Sequence, residues 1–109
     1  MAKNALVITT AGEMSVIDIA ENELSTLQAK VGGWVQMVDL NDNLTLWCNE
    51  EGKLEGLAVN AYATELWESV YGKTDIIVGD IVLTGGADDE GETLGLSDSK
   101  IEAIRNLFR

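Results

Sequence analysis

The sequence predicts an α+β domain: a mixed sheet of about five strands, made of two hairpins plus a central strand, with helices packed largely on one face. Three observations carry this expectation. Two pairs of segments alternate apolar and polar residues about short turns, the pattern of half-buried hairpins. A later run, Ile76 to Leu83, is apolar on both faces, as a central strand is. Three other segments repeat apolar residues at helical spacing, each preceded by an Asn or Ser able to cap it.

Taken in order, Asn4 to Thr10 reads as a strand with Leu6 and Ile8 on one face and Ala5 and Val7 on the other. Ala11-Gly12-Glu13 turns the chain into a second strand from Met14 to Ile19. Asn22 is placed to cap a helix over residues 23–31, in which Leu24, Leu27 and Val31 recur, and Gly32-Gly33 stops it. Trp34 to Leu40 and Leu44 to Asn49 flank Asn41-Asp42-Asn43, whose side chains favour a turn, and so form a second hairpin. Residues 50–59 form a polar loop bent at Gly52 and Gly56. Asn60 caps a second helix over 61–71, where Tyr62, Leu66, Val70 and Ala63, Trp67 make one broad apolar face. Gly79, inside the 76–83 strand, marks a bulge or the close approach of another part of the chain. Thr84 to Gly95 is an acidic, glycine-rich loop, and Ser97 caps a last helix carrying Ile101, Ile104, Leu107 and Phe108.

A chain of 109 residues with 46% hydrophobic content suits a single domain with one core. No apolar run approaches the roughly 20 residues that cross a bilayer, and the apolar start after Met1 is too short for a signal peptide. A single cysteine excludes an internal disulfide, so a reducing compartment, the cytoplasm, is expected. Charge is unevenly spread. Residues 1–30 and 100–109 hold five acids and five bases, whereas residues 31–99 hold fourteen acids against Lys53 and Lys73, so the whole net charge of −12 lies there. Such a field repels nucleic acid and anionic membranes and attracts a basic surface.

Most chemistry is excluded by composition. There is no histidine, so imidazole-based triads and metal sites are absent. Cys48, between apolar neighbours in a strand, reads as a buried thiol. Asp39-x-Asn41-x-Asn43 with Glu50 has the ligand spacing of a calcium loop, but Leu44 stands where that loop needs glycine and the flanks read as strands. Glycines 85, 86, 91 and 95 match no phosphate fingerprint, and Asp88, Asp89, Glu90 and Glu92 among them would repel a phosphate. These four acids form a solvated acidic surface, or at most a weak site for a hard cation. The segment from Trp47 to Asn60 is the most distinctive: Asn49, Glu50, Glu51 and Lys53 lie on one loop before the capping Asn60. Lys53 there either meets an anion or pairs with Glu50 or Glu51 to brace the turn.

With Val31-Gly32-Gly33-Trp34 before it and Asp75-Ile76-Ile77-Val78-Gly79-Asp80 after it, this loop (Asn49 to Leu54, Gly56-Leu57, Asn60) resembles a known family. It is domain of unknown function family three-eight-four-six, and the resemblance spans about residues 4–97. Ala58 stands where many relatives carry proline. The resemblance implies a phage or mobile-element accessory protein, with work against host defence as an association of phage relatives. It assigns no catalytic residue and no cofactor.

The expected function is that of a non-enzymatic acidic binding protein acting on a host protein with a basic surface. If acids of the 39–42, 50–55 and 88–92 loops converge, they would imitate the phosphate array of DNA. The alternative is a small-ligand binder, for instance of a nucleotide signal, with a pocket of Asn49, Lys53, Asn60 and Trp34 or Trp47. The oligomeric state, a homo-oligomer included, is left open.

Overall fold

A computed structural model describes residues 2–108. Its elements in chain order are β1 (Asn4–Ile8), β2 (Met14–Asp18), α1 (Glu23–Val31), β3 (Val35–Asn41), β4 (Leu44–Asn49), α2 (Ala61–Tyr71), β5 (Ile81–Thr84) and α3 (Asp98–Leu107). The fold is α+β. One five-stranded sheet has the order β2-β1-β5-β4-β3, and the two expected hairpins form its two sides.

Every pairing is antiparallel, so the expected mixed sheet is corrected. The reason lies in the run 76–83. Only Ile81–Thr84 is a strand. Gly79 sits at φ +80°, a conformation that breaks an extended segment and that only glycine adopts at little cost. A Cβ there would also lie 2.8 Å from Leu57 Cδ1. Residues before it run back along α2: Ile77 O accepts from Asn60 N at 2.8 Å, and Val78 bridges Val59. The chain therefore returns to the end of the sheet where β4 finished before β5 begins, and antiparallel pairing follows.

The alternation along each strand separates two cores. Leu6, Ile8, Leu46, Cys48, Ile81 and Leu83 face α2 and α3, which supply Ala63, Leu66, Ile101 and Ile104. Ala5, Val7 and Val82 face α1 through Leu27 and Val31. Two helices thus share a face, and α1 covers the other. Tyr62 of α2 stacks on Phe108 beside α3 with ring centroids 4.3 Å apart.

Helix ends follow the capping rules with one exception. Ser97 Oγ accepts from Lys100 N, and Gly32 ends α1 with its N–H bonded to Gln28 O. Asn22, expected to cap α1, is itself left-handed at φ 56° and makes no side-chain cap. Asx residues tolerate that region, and here Asn22 turns the backbone instead. Asn60 does far more than cap. Its Oδ1 accepts from Ala63 N at 3.1 Å, while its Nδ2 donates to Ile8 O and Gly79 O, both at 3.0 Å, in a site only 1% exposed.

Asn60→Ala therefore removes a cap, worth about 1 kcal/mol, and strands two buried carbonyls, at about 1–3 kcal/mol each when unsatisfied. The expected loss is about 3–7 kcal/mol, a fall in melting temperature on the order of 10–30 °C. Asn60→Asp keeps the cap acceptor but turns a second oxygen on those carbonyls, so calorimetry should find it no more stable than the alanine variant.

Candidate functional site

The loop after β4 is wound around Asn49. Its Oδ1 accepts from Glu51 N at 2.8 Å, and its Nδ2 donates to Val31 O at 3.2 Å and Glu55 Oε1 at 2.9 Å. Glu55 N bonds to Glu51 O and Leu57 N to Gly52 O, which closes two successive turns. The amide of Asn49 is buried and committed to these bonds. Glu50 and Glu51 lie outward on the same loop, and Leu54 is almost fully exposed.

This loop walls one end of a cleft of about 230 Å³ beneath β3. Gln36 and Val38 of β3 and Cys48 of β4 form its roof. Trp67 of α2 and residues 75–78 form its other walls, and Glu50, Lys53 and Leu54 stand at its mouth. Lys53 Nζ pairs with Asp75 rather than with Glu50 or Glu51. The return segment before β5 passes beside Lys53 and brings Asp75 to it from 22 positions away. The pair is half in solvent, with side chains 55% and 41% exposed. The Lys53 ammonium and the Ile76 N–H hold the Asp75 carboxyl below its ordinary range. Burial pushes the Cys48 thiol up, although Lys53 opposes this. Its Sγ lies 3.8 Å from Gln36 O.

The other aromatic and amide candidates lie elsewhere. Asn60 is buried behind the cleft as a structural link. Trp34 precedes β3 and is 68% exposed. Trp47 packs on the opposite face, among the residues around α1, and its indole N–H donates to Thr84 Oγ1 at 2.9 Å. Asn49 and Lys53 thus share a cleft that Asn60 and Trp47 do not line. Trp67 and Asp75, which do line it, were not singled out from sequence. Their signals in the sequence are indirect: Asp75 opens one of the blocks that carry the family resemblance, and Trp67 lies on the apolar face of α2.

The acids also take defined places. Asp88 organises its loop: Oδ1 accepts from Glu90 N at 2.9 Å and Glu92 N at 3.0 Å, and Ala87 bridges Thr93. The small hairpin so formed exposes Asp89, Glu90 and Glu92. It packs on the β3–β4 turn, since a Cβ on Gly86 would lie 2.5 Å from Asp42 O. The 39–42 and 88–92 acids are therefore neighbours at one end of the sheet. Two cations stand at that end: Lys3 pairs with Glu23 at 2.9 Å and also feels the charges of Asp88 and Glu92, and Lys100 donates to the Asn43 carbonyl at 3.1 Å. The 50–55 acids lie at the far end of β4, about 20 Å away for six extended residues. The same separation parts Glu50 from Asp39, Asn41 and Asn43, so the calcium-loop spacing does not become a ligand shell. Among the described residues, no three acidic or thiol side chains gather as metal ligands. Nor is any helix long and apolar enough to cross a membrane.

Fold and site together define a small antiparallel α+β domain with a wound loop, a shallow cleft and acids grouped at both ends of one hairpin. The family model described as Domain of unknown function (DUF3846) matches residues 2–109, and the chain belongs to that family. No curated protein and no solved structure matches it.

Two measurements follow from the cleft. Cys48 should react with a thiol reagent far more slowly in the folded than in the denatured protein; equal rates would place it outside the core. Lys53→Ala should change stability by no more than about 0.5 kcal/mol, as a half-exposed pair contributes little. In the same variant the Asp75 carboxyl should titrate at a higher pH than in the parent, and a carboxylate NMR titration reads this directly.

Proposed function

We propose that this domain is a non-enzymatic acidic binding protein of phage or mobile-element origin. It acts in the host cytoplasm on a protein with a basic surface. The observation that carries this reading is the packing of the 88–92 hairpin on the β3–β4 turn, which gathers Asp42, Asp88, Asp89, Glu90 and Glu92 about Lys3 and Lys100, an excess of acids over bases. A surface of that kind steers and holds cationic partners. The separation of these acids from the 50–55 group by about 20 Å favours discrete contacts with a basic protein. A continuous copy of duplex DNA would need a charge every ~1.7 Å of axis. Interference with a host defence protein is one setting for such binding. The nucleotide-binding alternative draws less support: the mouth of the cleft sets Glu50 and Asp75 against Lys53 alone, and Lys53 is already paired.

Partners captured by the domain at 0.1 M salt should be released at 1 M, where the Debye length falls from about 10 Å to about 3 Å. A variant with Asp89, Glu90 and Glu92 changed to Lys should lose the same partners with little change in melting temperature. Asp88→Asn is the appropriate fourth change, because it keeps the acceptor that folds the hairpin. Partners retained in both tests would rule out electrostatic recruitment.

A further inference from the structure

The outer edge of β3 is open. Glu50 N bonds to Trp34 O, so Trp34 and, by alternation, Gln36 and Val38 turn their backbone groups toward β4. Val35, Met37 and Asp39 then turn theirs outward. Tyr71 Oη donates to the Asp39 carbonyl, which confirms the alternation and closes that end, where the register also shifts. The groups of Val35 and Met37 remain, on a strand without proline, lysine or arginine to discourage pairing. Beside them stand the exposed side chains of Trp34 and Met37, the latter 56% exposed. The cleft lies directly beneath, with Gln36, Leu54 and Ile76 exposed at its rim.

We propose that the β3 edge from Trp34 to Val38 receives an extended cationic segment of a partner protein by strand addition. Backbone bonds to Val35 and Met37 would supply the pairing, and alternate side chains of the added strand would enter the cleft. Charge identifies the occupant. Glu50 and Asp75 flank the start of the edge, and Asp39, Asp42 and the 88–92 hairpin flank its end. A segment about seven residues long would meet carboxylates at both ends. Within the cleft, Val38, Trp67 and Ile77 suit the stem of a lysine or arginine, and Asp75 and Glu50 suit its head. The half-exposed Lys53–Asp75 pair can be exchanged at small cost. A second copy of the chain fits poorly: antiparallel pairing about Met37 would set Asp39 of each copy toward the Glu50 and Asp75 end of the other. The other edge strand, β2, belongs to the charge-balanced part of the chain.

This inference rests on the acidic-binder reading, and one titration separates the two. The probe is the peptide Lys-Val-Lys-Val-Lys-Val-Lys, added to isotope-labelled protein and followed by amide NMR at 0.1 M salt. The expected result is saturable shifts centred on residues 34–38. Methylation of the peptide's valine amides, which removes pairing donors and keeps every charge, should weaken binding about tenfold. Met37→Pro, a change an edge strand tolerates, should do the same; if that variant does not fold, the methylated peptide decides alone. Binding centred on 88–92 and indifferent to methylation would overturn strand addition and leave the acidic-binder reading standing. Concentration-dependent shifts at 34–38 without peptide would assign the edge to a second copy and overturn the proposal. No binding of the cationic peptide anywhere would overturn both.

Discussion

The buried amide of Asn60 is the link on which the arrangement of the sheet depends. With one side chain it caps α2, holds the last carbonyl of β1 and holds the carbonyl of Gly79 just before β5. Its backbone N–H takes the carbonyl of Ile77 as well. These contacts bring the start of α2 and the start of β5 to the same end of the sheet as the end of β1. From there β5 has one place to go, between β1 and β4, and it enters antiparallel to both. The first hairpin and the second hairpin do not touch each other in the sheet; β5 joins them. A polar group this deeply buried is costly unless all its bonds are made, and here they are, which ties the geometry to one solution.

The same topology sorts the charge. Because β5 separates the hairpins, β1 and β2 of the balanced segment occupy one side of the sheet and β3 and β4 of the acidic segment occupy the other, while α1 packs across β3, β4 and β5. Sequence showed that residues 31–99 carry the whole net charge, but not that these residues would end in an exposed edge. Nor could it show that the three acidic loops would divide between the two ends of that edge. Their division follows from the six-residue length of β4, since a hairpin holds its turn and its exit loop apart by its own span.

What was legible in the sequence was local. The bounds of α2 and β4, the Ser97 cap, the facing of Leu46 and Cys48 against Thr45 and Trp47, and the burial of Cys48 all follow from periodicity and capping. What escaped depends on residues far apart in the chain. Apolar character alone could not show that Gly79 would break the 76–83 run, because the break is stabilised by Leu57 and Asn60. Lys53 finds Asp75 across 22 positions, a contact that no short-range pairing rule anticipates. Trp47 alternates with Cys48 along β4, so the two are bound to face opposite cores, and the cleft beneath Cys48 takes its tryptophan from α2 instead.

The residues that carry the family resemblance interlock with one another. Leu57 fills the space a side chain on Gly79 would need, and Gly52 leaves room for Val78, whose Cγ2 would lie 2.8 Å from a Cβ there. Lys53 meets Asp75, Asn60 meets Ile77 and Gly79, and Asp80 accepts from Thr10 N at 3.0 Å, which ties the start of β5 to the end of β1. Asn49 anchors the loop to the end of α1 through Val31 O. A block of this kind reads as the framework that positions β5 and the β3 edge, with most of its polar groups spent on the fold itself. Function is then to be sought on what the framework leaves unspent: the outward backbone of Val35 and Met37, the cleft below them, and the carboxylates at either end.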